Sequence, residues 1–227
     1  MTRLSLSGSL PDRIAQLRQT LPPHVRLVAV TKQKPVEMIR AAYAAGVRDF
    51  GENRVQEAEE KQAQLADLPD ITWHLLGHLQ TNKALKALEH FHWIHSLDSL
   101  KLATRLNRLA EERSLRPTVL LQVKFRPDPN KYGWDPLELQ SDLPALDQLS
   151  HLAIAGMMTI PPLGLSEAET LAVFQDAQQF FQTVQQAGYR NLAFHHLSMG
   201  MSDDYPLAIQ AGSTVIRLGR VLFGDRP

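Results

Sequence analysis

Leu27-Val28-Ala29-Val30-Thr31-Lys32 is followed by Gln33-Lys34-Pro35, then by a stretch with Met38, Ile39, Ala42 and Tyr43 at helical spacing, and Gly46 closes the unit. The first run is short, apolar and β-branched with no polar alternation, so it reads as a strand (Leu27–Thr31) buried on both faces. Pro35 suits the first turn of a helix and Gly46 its end. The unit recurs along the chain. Strands are expected at Arg48–Gly51, Thr72–Leu76, Trp93–Ser96, Thr118–Phe125, Leu152–Thr159, Leu192–Leu197 and Thr214–Leu218. Helices are expected at Val55–Leu65, Ala84–His90, Leu100–Arg113 (capped by Asp98), Pro136–Leu149, Ser166–Ala187 and Ser202–Gln210. Ser166-Glu167-Ala168-Glu169 is a capping box. Ahead of the first strand, Ile14, Leu17 and Leu21 mark one more helix, so residues 1–24 form an N-terminal helical extension.

Strands separated by helices pair in parallel, because only a crossover of that length returns the chain to the same sheet edge. Eight such units predict a (β/α)8 TIM barrel over residues 1–227, a single α/β domain. The open doubly wound sheet is the alternative, but no G-x-G-x-x-G follows the first strand.

The chain has 227 residues, 24 Lys+Arg against 24 Asp+Glu, and no cysteine. Thiolate metal sites, thiol nucleophiles and disulfides are excluded. Balanced charge gives no nucleic-acid footprint. No run reaches the ~20 apolar residues of a membrane span, and the N-terminus lacks a signal-peptide core. A cytoplasmic protein is expected, with no membrane or nucleic-acid partner.

Chemistry in a barrel sits at the C-terminal strand ends. Lys32 stands at the first of these. It is either a snorkelling surface lysine or a partly buried amine, whose desolvation leaves more of the neutral, nucleophilic form. Ser198-Met199-Gly200-Met201-Ser202 follows the seventh strand, and Gly219-Arg220 the eighth. These are places where barrels bind phosphate, though Ser202 could be only a helix cap. Arg217 lies on the last strand and needs a partner, either a carboxylate such as Asp49 or Glu52, or a ring nitrogen of a ligand. Of the 9 histidines, His90, His92 and His95 read as scattered core and rim residues, and only one of His195 and His196 can face the barrel interior. No H-E-x-x-H or G-x-S-x-G motif occurs. Glu57-Ala58-Glu59-Glu60 reads as a solvated face.

Several motifs in order carry a resemblance: Ala29-Val30-Thr31-Lys32-Gln33-Lys34-Pro35; Phe50-Gly51-Glu52-Asn53; Trp73-His74-Leu75-Leu76-Gly77-His78-Leu79-Gln80-Thr81-Asn82-Lys83; Lys131-Tyr132-Gly133-Trp134; Gly156-Met157-Met158-Thr159-Ile160; Leu197-Ser198-Met199-Gly200-Met201-Ser202-Asp203; and Arg217-Leu218-Gly219-Arg220-Val221-Leu222-Phe223-Gly224. From about Leu27 to Gly224 the sequence resembles the pyridoxal phosphate homeostasis protein family (the YggS/PROSC family), which is similar to the N-terminal barrel of bacterial alanine racemase. The resemblance implies that Lys32 forms a Schiff base with pyridoxal 5′-phosphate (PLP). It implies that Ser198, the Met199-Gly200 backbone and the N–H groups of Gly219 and Arg220 hold the phosphate, that Arg217 faces the pyridine nitrogen, and that Asn53 and Met158 lie beside the ring. Two positions depart from the family pattern: Lys124 stands where an asparagine is expected, and Arg220 where a small hydroxyl residue is.

An arginine cannot accept a proton, so a ring nitrogen facing Arg217 stays unprotonated and the ring is a poor electron sink. A racemase also needs a second base from another domain, and the sequence ends at Pro227. The expectation is therefore a monomeric PLP carrier in PLP homeostasis, without substantial catalysis and with transient contacts to PLP-dependent apoenzymes. The alternatives are a PLP-dependent amino-acid racemase and a pure interaction module. Whether Lys34, Lys83 or Lys131 offers a second aldehyde site stays open.

Overall fold

Eight parallel strands close on themselves in chain order in the computed structural model, which describes residues 6–224. They are β1 Arg26–Val30, β2 Asp49–Glu52, β3 Thr72–Leu75, β4 Trp93–Leu97, β5 Thr118–Gln122, β6 Ala153–Met158, β7 Leu192–Ser198 and β8 Val215–Leu218. The reading of the N-terminus rests partly on residues 1–5, which lie outside the described residues. Closure pairs β8 with β1, with Arg217 opposite Val28 and Leu218 opposite Ala29. The expected barrel is thus the observed one, and no sheet edge is left open.

Helices α1 Leu10–Thr20, α2 Val36–Ala44, α3 Val55–Gln64, α4 Ala84–His90, α5 Leu100–Glu112, α6 Pro136–Leu146, α7 Glu167–Gln186, α8 Tyr205–Gln210 and α9 Arg220–Phe223 accompany the strands. Capping boxes at Ser9, Asp135 and Ser166 fix the starts of α1, α6 and α7. Outward strand residues such as Phe50, Leu75, Ile94 and Leu97 are fully buried with helix residues such as Leu102, Leu106 and Phe174. This layer supplies most of the apolar burial. The barrel interior is different. It holds a small apolar group of Trp93, Leu120 and Met158, beside buried His74, His95, Ser198 and Arg217.

Several element ends differ from the sequence reading by one to three residues; two of them, and one cap, have a local hydrogen-bonding reason. The fifth strand ends at Gln122, not Phe125: Trp134 N–H donates to Gln122 O (3.0 Å) and Lys124 N–H to Trp134 O (2.8 Å), which turns the chain away. α8 starts at Tyr205, not Ser202, because Asp204 Oδ1 accepts the Met201 N–H at 2.6 Å and closes a separate turn. Ser99, not Asp98, caps α5; its side chain accepts from Leu102 N–H, while Asp98 binds His78 Nδ1 at 2.8 Å. Among the described residues, no helix is long and apolar enough to cross a membrane, and no three His, Asp or Glu residues are grouped to hold a metal ion.

Candidate functional site

A cavity of about 240 Å³ opens at the C-terminal end of the barrel. Its lining brings together Lys32, Asn53, Arg217, Gly219 and Arg220 from three sequence-distant motifs, with Val30, Lys34, Leu76, Ile160, Met201, Ser202 and Asp203. Lys32 stands in the turn after β1. Lys34 lies beside it, with its ammonium near the carbonyls of Phe223 and Gly224 (3.4 and 3.3 Å) at the end of α9. Asn53 follows β2, and Gly77 lets the β3 loop press against it: a Cβ at Gly77 would sit 2.2 Å from Asn53 O. Only glycine permits that approach.

Arg217 forms part of the inner wall. Its residue exposure is 4%. NH1 donates to Ser198 Oγ at 2.7 Å and NH2 to Thr159 O at 3.1 Å. Neither Asp49 nor Glu52 is its partner, contrary to the carboxylate alternative: Asp49 binds Arg26 and His74, and Glu52 binds Thr31 and Lys61. Burial lowers the guanidinium pKa to about 10, opposed by nearby Asp204, so Arg217 remains a cation at neutral pH with donors to spare.

Below it, a chain of hydrogen bonds crosses the barrel interior. His95 Nδ1 meets Ser198 Oγ at 3.0 Å, His95 Nε2 meets His74 Nδ1 at 2.9 Å, and His74 Nε2 meets Asp49 Oδ1 at 2.9 Å. Burial pushes both imidazole pKa values down, His95 far down, so both rings are neutral. One carboxylate acceptor then orders every proton. His74 donates from Nε2, His95 donates from Nε2 to His74 Nδ1, and Ser198 donates to His95 Nδ1 while accepting from Arg217. His95 is therefore not a scattered core residue but a link in this chain.

The cavity lining after β7 and β8 suits an anion. Ser202 Oγ accepts the Val221 N–H at 3.3 Å, which leaves the hydroxyl proton to donate elsewhere. α9 begins at Arg220, and the first N–H groups of a helix have no acceptor within it. The Arg220 side chain pairs with Asp203, and both residues line the cavity. Gly219 carries no cap side chain. A Cβ there would meet Val30 only at ordinary contact distance (3.5 Å), so the fold does not require glycine; the added group would take up space beside a cavity-lining residue.

Four residues expected at the ligand are not among those that line the cavity. Ser198 is fully buried with its proton committed to His95. Met199 is fully buried and its N–H donates to Val215 O. Met158 lies within the interior apolar group, and Ile160, two residues further along, reaches the cavity instead. Gly200 supports the turn, with φ +97°. Lys34, Ser202 and Asp203 are the polar cavity residues that the motif-based assignment left out. Lys124 lies where the chain turns after β5 and does not line the cavity.

Residues 7–227 match the family model described as alanine racemase, N-terminal domain. A Synechocystis protein named pyridoxal phosphate homeostasis protein is 51% identical over 216 residues, covering 95% of this chain and 98% of its own. One of the same name from Pseudomonas aeruginosa is 44% identical, covering 90% and 86%. The structure of PipY from Synechococcus elongatus with PLP bound is 56% identical, with a TM-score of 0.91 over 95% of this chain and all of PipY. An alanine racemase from Clostridium difficile shares the fold at 16% identity and TM-score 0.79, and this chain spans 60% of its length.

Proposed function

The chain belongs to the pyridoxal phosphate homeostasis protein family, and from that membership we propose that it binds pyridoxal 5′-phosphate through Lys32 and carries it without substantial catalysis. The observation that carries this reading is the three-part cavity: an amine, a buried guanidinium and an anion-binding edge facing one space of about 240 Å³. When bound, the cofactor supplies an aldehyde that an amine can take up reversibly with loss of water. Lys32 is the residue for that role. Arg217 donates to the ring nitrogen, held in place by Ser198 and Thr159. Ser202 and the N–H groups at Gly219 and Arg220 bind the phosphate, with Lys34 adding positive charge nearby. Asn53 and Ile160 flank the ring. Ser198, Met158, Met199 and Gly200 support this arrangement from behind.

Arg217 keeps its own proton, so the ring gains none and serves poorly as an electron sink. That favours storage over amino-acid chemistry, in keeping with relatives whose name denotes homeostasis and which this chain covers almost end to end. We read the chain as one cofactor-binding unit that acts as a cytoplasmic monomer and meets PLP-dependent apoenzymes transiently. The test is loading and transfer. Protein mixed with PLP should gain a visible absorbance band that Lys32→Ala loses, and should activate an apoenzyme when the two are mixed. Chiral analysis with L-alanine should find turnover far below about 1 per second; a rate at or above that would make the protein a racemase.

A further inference from the structure

Behind Lys32 lies a buried ionic group that the cofactor reading does not use. Lys61, on α3, is 7% exposed, and Glu52, at the end of β2, is fully buried. Lys61 Nζ donates to Glu52 Oε1 (2.8 Å), Glu57 Oε1 (2.7 Å) and the carbonyl of Thr31 (2.8 Å). An ammonium has three protons, and all three are spent. The same two carboxylates also hold the residues flanking Lys32. Thr31 Oγ1 donates to Glu52 Oε1 at 2.6 Å, and Gln33 N–H donates to Glu57 Oε1 at 2.5 Å. Gln33 adopts φ +59°, a left-handed conformation that a side chain larger than glycine's disfavours. Glu57 was expected on a solvated face, but it and Lys61 turn inward.

We propose that Lys61, Glu52 and Glu57 form a clamp that positions Lys32, fixing the chain on both sides of it so that the amine is aimed into the cavity. The inference rests on the assignment of Lys32 as the PLP-bearing residue. Small misplacement of a reacting group slows capture strongly when the partner is held elsewhere, and on the proposed reading the phosphate of PLP is held by other residues, Ser202, Gly219 and Arg220. The clamp also accounts for selectivity between two neighbouring amines: Lys61 is buried with every N–H bonded, so its nitrogen cannot attack an aldehyde.

Two aldehydes separate aiming from folding. PLP must be aligned with its phosphate site, whereas formaldehyde needs no alignment. Each is trapped on the protein by a hydride donor and quantified by peptide mass spectrometry, with exposed Lys101 as internal standard. In Glu57→Ala, which frees Gln33 N–H, PLP trapping at Lys32 should slow about tenfold or more while formaldehyde labelling of Lys32 relative to Lys101 does not fall. Glu57→Gln, which keeps an oxygen for Gln33, should recover part of the loss. Lys61→Met should slow PLP trapping further, and if it fails to fold the Glu57 pair decides alone. Wild-type PLP trapping rates in Glu57→Ala, or an equal fall with both aldehydes, would overturn the clamp. Failure of the wild type to trap PLP on Lys32 would instead remove the cofactor assignment itself.

Discussion

Ser202 and Ser198 lie four residues apart, and the hydrogen bonds around them give them different work. Ser198 is locked between Arg217 and His95, whereas Ser202 keeps a proton for the cavity. Ser202→Ala should therefore weaken PLP binding about tenfold, the worth of a charge-assisted hydrogen bond near 1.5 kcal/mol, as read by absorbance titration. Gly219→Ala should weaken binding as well without moving the urea midpoint, because the added methyl meets no protein atom closer than 3.5 Å. A changed midpoint would mean that Gly219 serves the fold rather than the ligand. Lys32, Asn53, Arg217, Gly219 and Arg220 were legible from their positions after strands or within motifs. The distinction between the two serines was not, because it depends on which hydroxyl a histidine from a distant strand reaches.

Among the elements, strands and helices follow hydrophobic period and punctuation closely. Pro136 with the Asp135 cap, Ser166 with Glu169, and the unbroken run from Thr118 to Gln122 place their elements to within a few residues. Two of the errors fall where a polar side chain has competing partners. Asp204 closes a turn instead of letting α8 begin at Ser202, and Ser99 displaces Asp98 as cap because Asp98 is drawn to His78. The turn between β7 and α8 also depends on Gly200, whose φ is +97° and where a Cβ would lie 2.6 Å from that of Ala208. Gly200→Ala should destabilise the protein by about 2 kcal/mol or more, measured by urea denaturation; a loss below half of that would show the turn can relax. α3 gives the opposite lesson. Its Glu57-Ala58-Glu59-Glu60 run has the composition of a solvated face, yet Glu57 joins the Lys61 clamp because the turn after β1 offers it the Gln33 N–H.

The molecule as a whole runs a polar chain where such barrels usually pack branched apolar side chains. From Asp49 at the start of β2, through His74, His95 and Ser198, to Arg217 at the cavity, each link is buried or half-buried. Composition cannot reveal this, since nine histidines look alike until closure of the barrel sets two of them in register. The chain has a consequence for pH. His74 and His95 have folded pKa values below the unfolded one of about 6.5, so the unfolded state binds more protons on acidification and stability rises with pH through this range. As pH falls below about 6.5, each histidine held neutral should cost up to about 1.4 kcal/mol per pH unit. The melting temperature should drop from pH 7 to 5, and His95→Gln should flatten that dependence; an unchanged slope would mean the buried imidazoles are not the titrating groups. All of this scaffolding converges on one amine. The most direct test loads the protein with PLP, reduces it with borohydride and maps the added mass by peptide mass spectrometry. The mass should appear on Lys32, and recovery of PLP on another lysine, or on none, would contradict the account.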